Sequence, residues 1–194
     1  MSYQATSVCV LAGDLRAWRF FMVGKIVTTD RRTRRPARAT GLPENEVTMD
    51  RDELLEREHA SWSALEAAVG RVPADRRAAD GVVPGWWVKD LLWHCAYWAG
   101  FCADTIEARA AGDLSDPWDH DDAYWDAEND RVAQESKAMT WETVESSAAA
   151  RPERARAALA KAIDDASVKW FVEETFEHYD EHVVEIARFA DFPP

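Results

Sequence analysis

The chain has 194 residues, 47% apolar and 30% charged, with 36 acids against 23 bases and a net charge of −13. The length suits one domain, or one domain with a tail. The acidity speaks against nucleic acid as the main partner and against an anionic membrane surface, because both are bound through Lys and Arg. With no run of about 18 apolar residues, no transmembrane helix is expected.

Residues 1–48 stand apart. They carry eight bases, closing on Arg31-Arg32-Thr33-Arg34-Arg35-Pro36, and four acids, a net +4 that leaves −17 for the remainder. The segment lacks a sustained period and reads as a basic, disordered leader. Its apolar piece, Phe20-Phe21-Met22-Val23, has no basic region before it and no small-residue cleavage site after it, so a signal peptide is not expected. Met49 opens the regular region and is an alternative start.

From Asp50 the pattern is helical almost throughout. Asp50 with Glu53 three residues on forms a capping-box signature, and Leu55, Trp62, Leu65 and Val69 follow on one stripe. Gly70 and Pro73 end this first helix. Gly81 to Gly85 reads as a loop. A second helix is expected from about Trp87 to Ala111, with Leu91, Cys95, Trp98 and Cys102 on its apolar face and Gly112 as its stop. A third runs from about Asp121 to Ser136. A fourth runs from Trp141 to about Ile163, capped by Thr140 and kinked or restarted at Pro152. The last spans about Val168 to Phe189 and stops before Pro193. With no alternating strand pattern, the expectation is an all-α, antiparallel four-helix bundle over 49–194, without a sheet. Besides Cys9, the cysteines are Cys95 and Cys102. On one helix, seven residues apart, these two lie about 10.5 Å from each other, too far for a disulfide. A reducing, cytoplasmic setting follows.

Three histidines carry the chemistry. His178 and His182 stand at i and i+4, a spacing that lets both imidazoles bind one cation. Phe171, Thr175, His178, His182, Ile186 and Phe189 fall near one side of the last helix, so the pair should face inward. His94 lies between Leu91 and Trp98 on the second helix and should face the same core. Three inward imidazoles can hold a divalent metal, zinc or nickel, and leave a coordination position open, as catalytic sites do. The alternative is three separately hydrogen-bonded core histidines. His178-Tyr179-Asp180-Glu181-His182 also matches the inverted zinc-protease signature, with Glu181 as general base. That reading needs a distant downstream ligand, and only twelve residues follow His182.

Two segments resemble a known superfamily. Gly85-Trp86-Trp87-Val88-Lys89-Asp90-Leu91-Leu92-Trp93-His94 is similar to the opening of the second helix in the DinB-like proteins. Glu177-His178-Tyr179-Asp180-Glu181-His182 is similar to part of their last helix. The superfamily includes DinB/YfiT-like proteins, ClbS/DfsB-like bundles and mycothiol-dependent maleylpyruvate isomerases, and the resemblance covers about residues 49–190. It implies a four-helix bundle of DinB/YfiT type with a divalent-metal site on His94, His178 and His182. For some members it implies thiol-transfer or isomerase activity on a small-molecule electrophile, with mycothiol or bacillithiol as the low-molecular-weight thiol. Other members, notably the ClbS-like ones, bind or open a reactive small molecule without a metal. Where the superfamily places Ser after the Trp, this chain has Trp87, a lost helix cap costing about 1 kcal/mol, offset by Asp90 at the positive helix end.

Around the three histidines, Asp90, Glu174 and Glu181 are candidates to orient an imidazole. His59, Trp93, Trp98, Trp125 and Trp170 are candidates to line a pocket. His120 belongs to a solvated loop. A homodimer is an open expectation, and the catalytic residues proper are not assigned by sequence.

Overall fold

In a computed structural model, the structure describes residues 49–191 apart from 79, 118 and 163. The leader 1–48, Cys9 and the stop at Pro193 lie outside the described residues. The described chain is mostly helical. Helix α1 (Arg51–Arg71) opens on the expected capping box: Asp50 accepts from the Glu53 N–H, and Glu53 accepts from the Asp50 N–H at 2.8 Å. Its buried stripe is Leu54, Glu58, Ser61, Trp62, Leu65, Ala68 and Val69, with Leu54 rather than Leu55 at its start.

The segment after α1 corrects the expectation of a chain without sheet. After a short 3₁₀ turn (Ala74–Arg76), β1 (Asp80–Val83) pairs antiparallel with β2 (Trp86–Trp87). Val82 and Val83 are β-branched, and Val83-Pro84-Gly85-Trp86 has the Pro-Gly order of a type II turn, with Gly85 at φ 80°. The run is too short to show alternation in the sequence.

Helix α2 (Val88–Ala110) follows directly from β2 and is the centre of the core. Sixteen of its 23 residues are buried, on all its sides, as a helix surrounded by others requires. No side chain caps α2 at Trp87, and Asp90 at the helix start accepts from the Trp87 N–H at 2.9 Å, the reciprocal half of a capping box. Helix α3 (Asp122–Ala138) is capped by Asp121, and α4 (Trp141–Ala148) by Thr140. Helix α5 (Ala150–Leu159) restarts the helical path with Pro152 in its first turn, where the missing N–H costs least. Helix α6 (Asp165–Val172), capped by Asp164, begins three residues before the expected Val168. It runs through a π-turn (Glu173–Glu177) into α7 (His178–Asp191).

Helix α2 packs against α3, α4, α5, α6, the π-turn and α7, while α1 packs against α5, the π-turn and α7. Leu65, Leu91, Cys95, Cys102, Ile106, Leu159, Phe171, Tyr179 and Ile186 form the centre of the core. Cys95 and Cys102 are both buried and free. No helix among the described residues is long and apolar enough to cross a membrane.

Candidate metal centre

The π-turn ends at His178, and α7 then presents His178 and His182 one turn apart toward His94 of α2. The three imidazoles meet nitrogen to nitrogen. His94 Nε2 lies 2.9 Å from His178 Nε2, which lies 3.0 Å from His182 Nε2. All three ligand atoms fall within 4.8 Å of one another. The side chains are 3%, 4% and 7% exposed, so bulk water does not separate them.

This convergence is poorly explained by hydrogen bonding alone. Each ring nitrogen offers either one N–H or one lone pair in the ring plane. His182 Nδ1 sits 2.7 Å from a Glu185 carboxylate oxygen, an acceptor that places a proton on Nδ1, and in the neutral ring this leaves a lone pair on Nε2. His182 therefore donates nothing to His178, and His178 Nε2 cannot both donate to one neighbour and accept from the other. Three convergent lone pairs are what a cation requires. Three tetrahedral ligand nitrogens at about 2.05 Å from zinc are ~3.3 Å apart, and three on one octahedral face at that bond length are ~2.9 Å apart. The His94–His178 and His178–His182 separations of 2.9 and 3.0 Å lie near both values, and the third pair falls within 4.8 Å.

Burial adds to the case. His94 is held far toward its neutral form by desolvation, then by His178 and His182. His178 is held the same way, by desolvation and then His182. Neutral imidazole is the metal-binding form. The Nδ1 atoms of His94 and His178 are buried without a protein partner. Glu185 is thus the carboxylate that anchors this site, and it is absent from the sequence reading. Its signal is the i, i+3 spacing from His182, one turn beyond Glu181 on the same face of the helix.

The remaining candidates are dispersed. Asp90 is buried away from the imidazoles, accepting from the Trp87 N–H and the Ser136 hydroxyl, so it orients a helix end rather than His94. Glu174 and Glu181 make no hydrogen bond to an imidazole; Glu181 is raised by desolvation and lowered by the nearby His182. Glu174, on the π-turn, is pushed up to about 8 by desolvation, then by Glu173 and Glu181. His59 is exposed, because the buried stripe of α1 passes through its neighbour Glu58. His120 is exposed and stacks on Tyr124.

Among the tryptophans, Trp98 meets the His94 ring edge to face at 6.2 Å, and its N–H donates to Asn129 at 3.2 Å. Trp125 packs on Trp98 at 5.7 Å. Trp93 turns instead under Arg151, whose guanidinium lies 4.5 Å from the ring centre and along Gly100, where a Cβ would come within 2.9 Å of it. Trp170 lies under Arg109. Trp86, not among the sequence candidates, is nearer His94 than Trp98 is, at 5.1 Å. The β1–β2 hairpin brings it there, and in the sequence that hairpin is marked only by Val82-Val83 and the Pro84-Gly85 turn, with no alternating pattern. Compared with protein-family models, curated proteins and solved structures, the chain matches none.

Proposed function

We propose that the chain is a divalent-metal-dependent enzyme of DinB-like type, using a low-molecular-weight thiol such as mycothiol to transfer to, or isomerise, a small electrophile. The observation that carries this reading is the meeting of three buried imidazole nitrogens from α2 and α7 at 2.9 and 3.0 Å. The packing supports an antiparallel four-helix bundle, because α1, α7, α2 and α5 contact one another in a closed ring. The two free, buried cysteines support a reducing, cytoplasmic setting.

His94, His178 and His182 would hold the ion, zinc or nickel. Bound there, it lowers the pKa of a coordinated thiol or water toward neutrality. Glu185 keeps the His182 proton on Nδ1 and supplies a negative charge that three neutral ligands lack. Trp86 and Trp98 flank His94 with apolar rings, which excludes water from that side and suits an uncharged electrophile. The test is metal analysis of the purified chain, followed by a thiol-conjugation or isomerisation assay with and without chelator. One zinc or nickel per chain, with turnover lost on chelation and restored by the ion, is the expected result. A chain that carries no stoichiometric metal would instead be a metal-free bundle of the ClbS-like kind, binding its small molecule without this chemistry.

A further inference from the structure

Helix α7 does not continue α6 in phase. In an unbroken α-helix Phe171, His178 and His182 would share one stripe, because positions seven and eleven residues on return to within about 20° of the start. The π-turn at Glu173–Glu177 lies between them. Its extra residue turns everything beyond it by about 100° relative to α6. Tyr179, eight residues after Phe171, therefore takes the direction of Phe171, and both are fully buried in the apolar core. His178 and His182 are swung a quarter-turn aside, onto His94, and Glu185 follows them, seven residues after His178.

Two hydroxyls serve the carbonyls of this turn. Thr175 Oγ1 donates to the Phe171 carbonyl. Ser61 Oγ, from α1, has two acceptors for its one hydrogen, the Phe176 carbonyl at 3.2 Å and, closer, an Asp180 carboxylate oxygen. Both residues are buried. A wide turn loses regular i to i−4 bonds, and buried carbonyls left without donors are costly. Thr175 supplies a donor from within the turn, and Ser61 offers one from the neighbouring helix that the Phe176 carbonyl shares with Asp180.

We propose that the π-turn is the element that aims the histidine pair at His94, and that Thr175 and Ser61 are positioning residues that hold it open. The geometric claim does not depend on an ion; its consequence for metal binding rests on the function proposed above. A regular helix would send the imidazoles into the direction that Phe171 and Tyr179 take, in the apolar core.

The decisive comparison is deletion of Glu174 against Glu174→Ala. Both lose the carboxylate, but only the deletion lets the turn close into an α-helix. Crystal structures should show the His94–His178 contact kept in Glu174→Ala and lost in the deletion. Zinc affinity by titration calorimetry should be near wild type in the substitution and lower by about 100-fold in the deletion. A deletion variant that keeps the contact, or a Glu174→Ala variant that loses it, would overturn the proposal. Should the deletion not fold, Ser61→Ala with Thr175→Val decides: a displaced pair with affinity down about 10-fold supports it, and wild-type geometry with wild-type affinity refutes it. A wild-type chain that takes up no zinc would refute the metal reading alone, since the crystallographic contact still decides the role of the turn.

Discussion

Two buried polar clusters lie on either side of α7, and they are built on opposite rules. On one side Glu58 of α1, fully buried, pairs through Oε2 with Arg156 of α5 at 2.5 Å, while its Oε1 and the Tyr179 hydroxyl are buried without a hydrogen-bond partner. On the other side His94, His178 and His182 bring three like nitrogens together with one carboxylate, Glu185, behind them. The first cluster answers a negative charge with a positive one and joins helices. The second aligns acceptors with nothing on the protein to receive them. Buried charge that is matched internally is architecture, whereas buried lone pairs that converge unmatched imply a ligand from outside.

Substitutions on each side should break this contrast in different ways. Arg156→Ala strands the Glu58 carboxylate in the core and should cost about 3 kcal/mol of stability, read by urea unfolding, with metal content unchanged. Metal lost in that variant while it remains folded would mean that the two clusters are not separate. His178→Ala should do the reverse. Stoichiometric metal should disappear, because two imidazoles seldom hold a catalytic ion, while the apo fold loses about 2 kcal/mol for the cavity. Retention of a full equivalent of metal would remove His178 from the ligand set. Glu185→Gln should be milder, lowering metal affinity about 10- to 100-fold with the ligands intact. An unchanged binding isotherm would show that the contact with His182 Nδ1 is incidental.

The same contrast explains what was legible in the sequence. Features written in a few neighbouring residues were readable: the Asp50–Glu53 capping box, the Asp121 and Thr140 caps, the restart at Pro152 and the i, i+4 histidine pair. His94 was readable because its own helix has a strong apolar face. Features that depend on a partner element were not. Trp86 reaches His94 only through a hairpin held by two residue pairs, too short to leave a period-2 signature. Glu58 reads as a surface acid until Arg156, 98 residues later, is found opposite it. The π-turn was hidden for a different reason. A stripe drawn at 3.6 residues per turn runs straight through residues 173–177 and joins Phe171 to His178, so the pair was expected to face inward but on the wrong side of the turn's quarter rotation.

Acidity and alkalinity should separate the imidazoles from the desolvated acids by sign. His94 and His178 are depressed below 6.5 in the folded chain, first by desolvation. The unfolded chain takes up their protons as pH falls through 6.5 and the folded chain does not. Their contribution is therefore intact above that pH and lost below it, by about 1.4 kcal/mol per imidazole per pH unit until the folded groups also titrate. Glu174 runs the other way. Raised from 4.5 to about 8 by desolvation, it stays protonated in the folded chain while the unfolded chain ionises. Stability is thus lost as pH climbs from 4.5 toward 8, and no further loss comes above that. Apo protein should accordingly show a shallower fall in stability between pH 6.5 and pH 5 for His178→Ala than for wild type. Glu174→Gln should be stabilised relative to wild type at pH 8 and level with it near pH 4, read as unfolding midpoints in a common urea series. Curves for His178→Ala that run parallel to wild type across that acid range would mean that His178 takes up its proton at the same pH folded as unfolded, so that burial does not hold it neutral. A His178 that titrates as freely as in the unfolded chain is not sealed from water, and the dry cluster of three imidazoles between α2 and α7 would fail with it.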